Sequence, residues 1–375
     1  MYQTFNPVTL VFLLGATQGL FLALLLFNKT GNKTANRFLA LLMIAYSGFI
    51  VEAAISRTRI LIEFPHLLGL AAGVVYLIGP LHYLYARSLM SDHYFFSKKQ
   101  LLHFLPFFIF YLTFLFPFYL QDAGFKLAYY DTLANEGKTP LLILFNWLLL
   151  GQGISYMILT LILLRKHSAD IKESFSSIEK INLNWLRNIT LMSLVVWFLG
   201  LTIDVLQIFK LAPTFDLSVP IFIALLIYAM GYLGLRQPEI FSGVADTKES
   251  KKYERSGLTE EKAQLLYEKL VHLMETKKPY TDSNLKLGQL AKMLAASPNH
   301  LSQVINEQVQ QNFFDFVNSY RIKEAKRLIK DSSYQQLKLL SIAYDVGFNS
   351  KSAFNASFKK HTQMTPSQFR DQAVS

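Results

Sequence analysis

The chain contains no cysteine. Disulfides, thiolate metal sites and cysteine nucleophiles are therefore excluded. Charge is scarce as well: Asp, Glu, Lys and Arg make up 17% of the residues, against 52% apolar ones. That balance is too apolar for an ordinary soluble protein. Common catalytic signatures are missing too. No Walker loop, His-Glu-x-x-His or Gly-x-Ser-x-Gly motif occurs, which disfavours the usual hydrolytic and phosphoryl-transfer routes. No nucleotide-binding module follows the apolar half, which argues against kinase-type signalling. The expectation is a non-enzymatic protein with no cofactor and no metal.

What is present divides unevenly. Nearly all long apolar runs lie before Arg236, and charge thickens after it. Seven runs, at about 8–27, 38–55, 65–85, 101–120, 140–164, 186–209 and 215–235, each approach the ~20 residues that a membrane-spanning helix needs. The first run lacks the flanks of a cleavable signal peptide: no Lys or Arg precedes it, Lys29 and Lys33 follow it, and no small-x-small site ends it. One set of connecting segments holds Lys29, Lys33, Arg37, Arg87, Lys98, Lys99, Arg165, Lys166, Lys172, Lys180, Arg187 and Arg236. The opposite set holds only Arg57, Arg59, Lys126, Lys138 and Lys210. The positive-inside rule puts the richer set in the cytoplasm, with the N-terminus outside and the C-terminus inside. No outer segment is long enough for a folded sensor domain. The longest, 121–139, reads as an ordinary polar loop.

Polar groups within the runs are costly in lipid and so carry information. Gly15 with Gly19, and Gly69 with Gly73, have the spacing that lets helices approach closely within one bundle. Glu52 lies about 22 Å from the cytoplasmic side and Asp204 about 25 Å, at 1.5 Å per residue. Both fall in the outer part of the ~30 Å core. Glu52, Asp204 and Gln207 are the candidate sensing residues, able to hold a cation, a shared proton, or a cationic or hydroxylated ligand. The blander reading has each acid solvated at the interface.

The most informative stretch runs from 341 to 369, SIAYDVGFNSKSAFNASFKKHTQMTPSQF. Leu340, Ala343 and Val346 sit at helical spacing, and Gly347 tolerates a left-handed turn. Asn349 or Ser350 can cap a second helix with Ala353, Phe354 and Phe358 on one face. Lys351, Ser352, Asn355, Lys359 and Lys360 occupy the other face and suit base edges and phosphates. Thr365 and Pro366 open a third helix. Upstream, 287–308 has the same plan. Leu290, Ala291 and Leu294 bury a positioning helix, and Ser297 and Pro298 start the next one. Leu301, Val304 and Ile305 anchor it, leaving Asn299, Ser302 and Gln303 outward. A helix over 312–331 joins the two units, with Arg321, Lys323, Lys326, Arg327 and Lys330 giving it a basic side.

The residues Ile342, Ala343, Gly347, Phe348, Ser350, Ser352, Phe354, Phe358, Lys359, Lys360, Thr365, Pro366 and Arg370 together resemble the signature of the AraC/XylS family of bacterial transcription regulators. The resemblance covers about 285–370 and implies two helix-turn-helix units joined by a long helix. The sequence departs from the family at Thr362 and Gln363, where an aromatic residue and a glycine are usual. A Gln at positive φ costs about 1 kcal/mol.

The resulting expectation is an all-α chain: a seven-helix transmembrane domain (1–235), a tether (236–257), a connecting helix and loop (258–284), and a cytoplasmic double helix-turn-helix domain (285–375). From residue 285 on, 12 Lys and Arg face 6 Asp and Glu, whereas 236–284 holds 9 of each. The excess charge, part of a net +11, thus sits where binding to double-stranded DNA needs it. Asn299, Ser302, Gln303, Lys351, Ser352 and Asn355 are the expected base readers. Ser350, Lys359 and Lys360 are the expected phosphate contacts. The expected setting is the bacterial cytoplasmic membrane, with the lipid bilayer as second partner and a small molecule or ion as candidate ligand. Ala263, Leu266, Leu270 and Leu273 form a seam on which two copies can pair. It is short of three heptads, so docking on the following domain is the favoured reading. The function implied is a membrane-bound sensor that regulates transcription. The alternative is a transporter or enzyme with an appended regulatory domain.

Overall fold

The computed structural model describes residues 7–56, 58, 60–90, 94, 97–211, 217–236, 258–334 and 336–374. Arg57, Arg59 and tether residues 237–257 lie outside them. The fold is all-α, and no β-strand occurs among the described residues. The chain forms two compact units. The first comprises Met1–Arg165 with Leu183–Val244, and the second Lys166–Asn182 with Ala245–Ser375.

The first unit is a bundle containing α1 (Pro7–Asn28), α2 (Lys33–Ile55), α3 (Val75–Leu89), the segmented α4 (Lys98–Tyr119), α5 (Ala123–Asn135), most of α6 (Pro140–Ser174), α7 (Asn184–Ile208) and α8 (Ser218–Arg236). Among the described residues seven helices are long and apolar enough to cross a membrane: α1, α2, Pro65–Leu89 (which ends in α3), α4, α6, α7 and α8. Glycines bring three of them into close contact. A Cβ on Gly15 would lie 3.2 Å from Ala224 Cβ, and one on Gly231 2.3 Å from Leu22 Cδ1. A Cβ on Gly19 would lie 2.2 Å from Ser47 Oγ. Gly69 turns the chain at φ +75, and a Cβ on Gly73 would lie 3.4 Å from Phe107 Cε2, an ordinary contact with α4. Lys29 Nζ donates to the carbonyls of Gly234 and Leu235 at 3.0 and 2.9 Å, so α1 and α8 end at the same side of the bundle.

Two features depart from the sequence reading. The 121–139 segment is no plain loop. Asp122 accepts the Phe125 amide at 2.9 Å and caps the 13-residue α5. In α5 the Lys126 side chain is buried, its Nζ 2.7 Å from His66 Nδ1 and 3.1 Å from the Tyr119 carbonyl. In addition, α6 runs ten residues past 164, and its last turns belong to the second unit.

The second unit is built on α12 (Phe313–Lys330), which is preceded by α9 (Glu260–Thr276), α10 (Leu287–Met293) and α11 (Pro298–Val304), and followed by α13 (Leu339–Asp345), α14 (Lys351–Thr362) and α15 (Pro366–Val374). α12 serves two cores. Phe313, Phe316 and Val317 pack with Leu290, Leu301 and Ile305. Ile322, Ala325 and Leu328 pack with Ile342, Phe354 and Phe358. Leu270 and Met274 of α9 join the first core, so its apolar seam docks on the domain, as its short length favours.

Candidate functional site

Each half of the second unit is a helix-turn-helix. In the first, α10 leads through a turn with Ala295 at φ 51 into α11, capped by Ser297 Oγ accepting from the His300 amide at 3.1 Å. In the second, α13 turns at Gly347, φ 100, and α14 starts where Ser350 Oγ accepts from the Ala353 amide at 3.1 Å. Ser350, and not Asn349, is the cap. Gln363 ends α14 at φ 60, the left-handed position that the family glycine implies.

The helices bury one face and leave the other open. On α14, Phe354 and Phe358 are buried while Lys351, Ser352, Asn355, Lys359 and Lys360 are exposed. On α11, Leu301 and Val304 are buried, Asn299 is exposed, and Ser302 and Gln303 are half-buried. Three of these side chains are engaged by acids of the same unit: Lys360 pairs with Asp315 at 2.7 Å, Gln303 donates to Glu307 at 3.0 Å, and Ser302 donates to Glu173 at 3.4 Å. The basic side expected for α12 is largely neutralised. Glu324 holds Lys278 and Arg327 at 2.9 and 3.0 Å, and its carboxyl is held below the usual range by Arg327 first and then Lys278. Lys326 and Lys330 lie over the ring of Phe369.

Arg321 leaves that face altogether. Its guanidinium is buried and uses Nε, Nη1 and Nη2. Nε donates to the Tyr280 carbonyl at 2.7 Å, Nη1 to the Ser176 carbonyl at 2.9 Å and Asn318 Oδ1 at 3.1 Å, and Nη2 to Ser176 Oγ at 3.1 Å and the Asp282 carbonyl at 2.8 Å. Burial draws its pKa down to about 10, with Glu179 and Asp282 opposing, so it stays cationic at neutral pH. Ser176 belongs to the 166–182 segment. That segment also reaches the first helix-turn-helix, where Glu173 Oε2 accepts from Ser302 Oγ at 3.4 Å and Asn306 Nδ2 at 3.2 Å. It reaches the second through Asn349 Nδ2, which donates to Ser177 Oγ at 2.6 Å. Sequence reasoning missed Glu173, Asn306 and Ser176, whose partners lie more than a hundred residues away.

In the bundle the three candidate sensing residues separate. Asp204 and Gln207 line a cavity of about 360 Å³, with Tyr46, Asn146, Ser193 and Trp197. Glu52 is not on its wall. Its carboxylate accepts the amides of Gly69 at 2.8 Å and Ala71 at 3.2 Å, which fixes the turn before α3. Asp204 is 4% exposed and is not solvated. Lys138 holds Oδ1, and Trp147 Nε1 donates to Oδ2 at 2.7 Å. With its charge matched, Asp204 is poorly suited to hold a cation.

Residues 290–372 match the profile of a helix-turn-helix domain. An uncharacterised HTH-type transcriptional regulator of Staphylococcus aureus (strain COL) is 34% identical over 87 residues, 23% of this chain and 11% of that protein. The HTH-type transcriptional regulator GlxA of Rhizobium meliloti (strain 1021) is 29% identical over 101 residues, 27% of this chain and 30% of GlxA. The C-terminal domain of the two-component response regulator yesN from Fusobacterium nucleatum is 31% identical. It covers 28% of this chain and 95% of that domain, at a TM-score of 0.24. This chain thus spans only 11% of the staphylococcal relative and 30% of GlxA. Residues 290–372 thus form a helix-turn-helix domain similar to parts of known transcription regulators.

Proposed function

We propose that the chain is a membrane-bound bacterial transcription regulator that reads double-stranded DNA through α11 and α14 and takes its signal from the helical bundle. The observation that carries this is the pair of helix-turn-helix units on one spine, each with its apolar face buried and its polar face outward. Asn299, Ser302, Gln303, Lys351, Ser352 and Asn355 are the base readers in this reading, and Ser350, Lys359 and Lys360 the phosphate contacts. Asn355→Ala in the full chain lowers affinity for the preferred duplex by roughly 1–3 kcal/mol and relaxes one base position. Lys359→Ala weakens all sequences alike and lowers the slope of log K against log salt by about one. Loss of one base preference by Lys359→Ala, with the slope intact, would mean these roles are misassigned.

The seven apolar helices and the asymmetry of Lys and Arg support a multi-pass protein of the cytoplasmic membrane, N-terminus outside and the DNA-reading unit inside. Reporter fusions after Asn28 and Gln121 then read inside and outside, and an inside signal at Gln121 rejects this topology. The cavity beside Asp204 and Gln207 supports sensing of a small molecule. Its apolar wall and its internally balanced ion pair fit a neutral, mostly apolar ligand with a hydrogen-bonding group. Two copies on one operator remain part of the proposal, since paired units would double the length of DNA read.

A further inference from the structure

We infer that residues 166–182, the end of α6 and the link that follows it, compete with DNA for the first reading helix, and that their release is how the bundle licenses binding. The inference rests on α11 being a DNA-reading helix.

These residues are bound to the rest of the second unit at four places. Ser176 donates its amide to the Leu285 carbonyl at 3.2 Å, and Phe175 and Lys286 form an antiparallel bridge beside it. Lys286 Nζ stands over the Phe175 ring. Arg321 grips both oxygens of Ser176, and Ser177 takes Asn349 at the entrance to α14. At the fourth place Glu173 lays its carboxylate on Ser302 and Asn306. The first three contacts fix the segment without using a candidate base reader. The fourth uses one.

Glu173 therefore stands where the chemistry of DNA would stand. A DNA groove offers acceptor atoms to Ser and Asn side chains, flanked by phosphate charge. The Glu173 carboxylate is an anionic acceptor bonded to the same hydroxyl and to the neighbouring amide. Duplex DNA carries a negative charge every ~1.7 Å along its axis. A carboxylate held on the reading face both occupies Ser302 and repels incoming phosphates. Glu173 lies in the last turn of α6, and Asn146, Leu149 and Leu150 of the same helix line the cavity. A change there has a covalent route to Glu173.

The absence of cysteine makes the test clean. The Ser176–Leu285 hydrogen bond marks Phe175 and Lys286 as a non-hydrogen-bonded antiparallel pair, where Cα atoms approach to about 4.5 Å. That spacing lies within disulfide range. The full-length Phe175→Cys/Lys286→Cys chain in lipid nanodiscs is compared, oxidised and reduced, for binding to a pool of mixed-sequence DNA duplexes. The oxidised form should bind at least about tenfold more weakly than the same protein reduced, the worth of one good polar base contact. Glu173→Gln should bind more tightly than wild type. Glu179→Gln makes the same charge change on the same segment away from α11, and should move binding less. Equal binding by the oxidised and reduced forms overturns the proposal, as does failure of the pair to oxidise or equal gains from the two Gln variants. Binding by the reduced form separates these outcomes from a failure of DNA reading itself.

Discussion

Replacing Arg321 with Met removes about 3–5 kcal/mol from the stability of the second unit, in the range set by removing one partner of a buried, charge-assisted network. The methionine fills much of the space but supplies no donor. The carbonyls of Ser176, Tyr280 and Asp282 then lose their guanidinium partner, in a site where Arg321 itself is 1% exposed. Each buried acceptor left unpaired costs about 1–3 kcal/mol, and water entering the site recovers part of that. Arg321→Lys keeps the charge but cannot fork across three carbonyls from two separate segments, so it recovers little. Hydrogen exchange of the full chain reads the effect as lost protection in α12 and at 280–286. Unchanged protection would mean the guanidinium is not holding these segments together.

Gly347→Ala is expected to cost about 3 kcal/mol or more, from positive-φ strain together with overpacking. The backbone there stands at φ +100. An added Cβ would lie 2.3 Å from the Tyr280 carbonyl oxygen, 2.9 Å from that of Thr281 and 3.0 Å from Arg321 Nε. The first two are backbone atoms and cannot swing away as a side chain would. The turn between α13 and α14 has to open, taking Val346 and Phe348 out of the second core. Gly288 provides the control, since a Cβ there meets nothing within 4 Å. In the first turn of α10, Gly288→Ala should stabilise by roughly 0.4–1 kcal/mol, chiefly by narrowing the unfolded chain's freedom. Exchange protection across 342–358 should collapse for Gly347→Ala and hold or rise for Gly288→Ala. Equal behaviour of the two would show that the close approach at Gly347 is relaxed in solution.

These two residues also show what the sequence makes legible. Gly347 was readable as a left-handed position because a helix ends there and a capped helix follows. What it packs against was not readable, since Tyr280 and Thr281 lie some 66 residues away. Arg321 was read as part of a basic face from its type. Its position says otherwise: Val317, Arg321 and Ala325 are four residues apart, so Arg321 lies on the buried stripe. Heeding the period over the residue type would have found it. The apolar helices were legible from long uninterrupted runs. α5 was not, because 13 residues carrying Lys126 and Asp131 give no such run. Glu52 and Asp204 have similar computed depth, which suggested one site. Depth along a helix says nothing of the side it faces, and the two acids found different partners. The docking of 166–182 rests on polar contacts with the distant 280s, 302–306, 321 and 349, and no local pattern encodes such contacts.

The central claim is that this chain reads DNA sequence. The most direct measurement equilibrates the full-length protein in nanodiscs, as wild type and as Glu173→Gln, with a pool of random duplexes, and sequences what is retained as salt is raised. A defined sequence should be enriched over the input, recovered more strongly by Glu173→Gln, with retention falling steeply as salt rises. A retained pool indistinguishable from the input for both proteins at every salt concentration would contradict it.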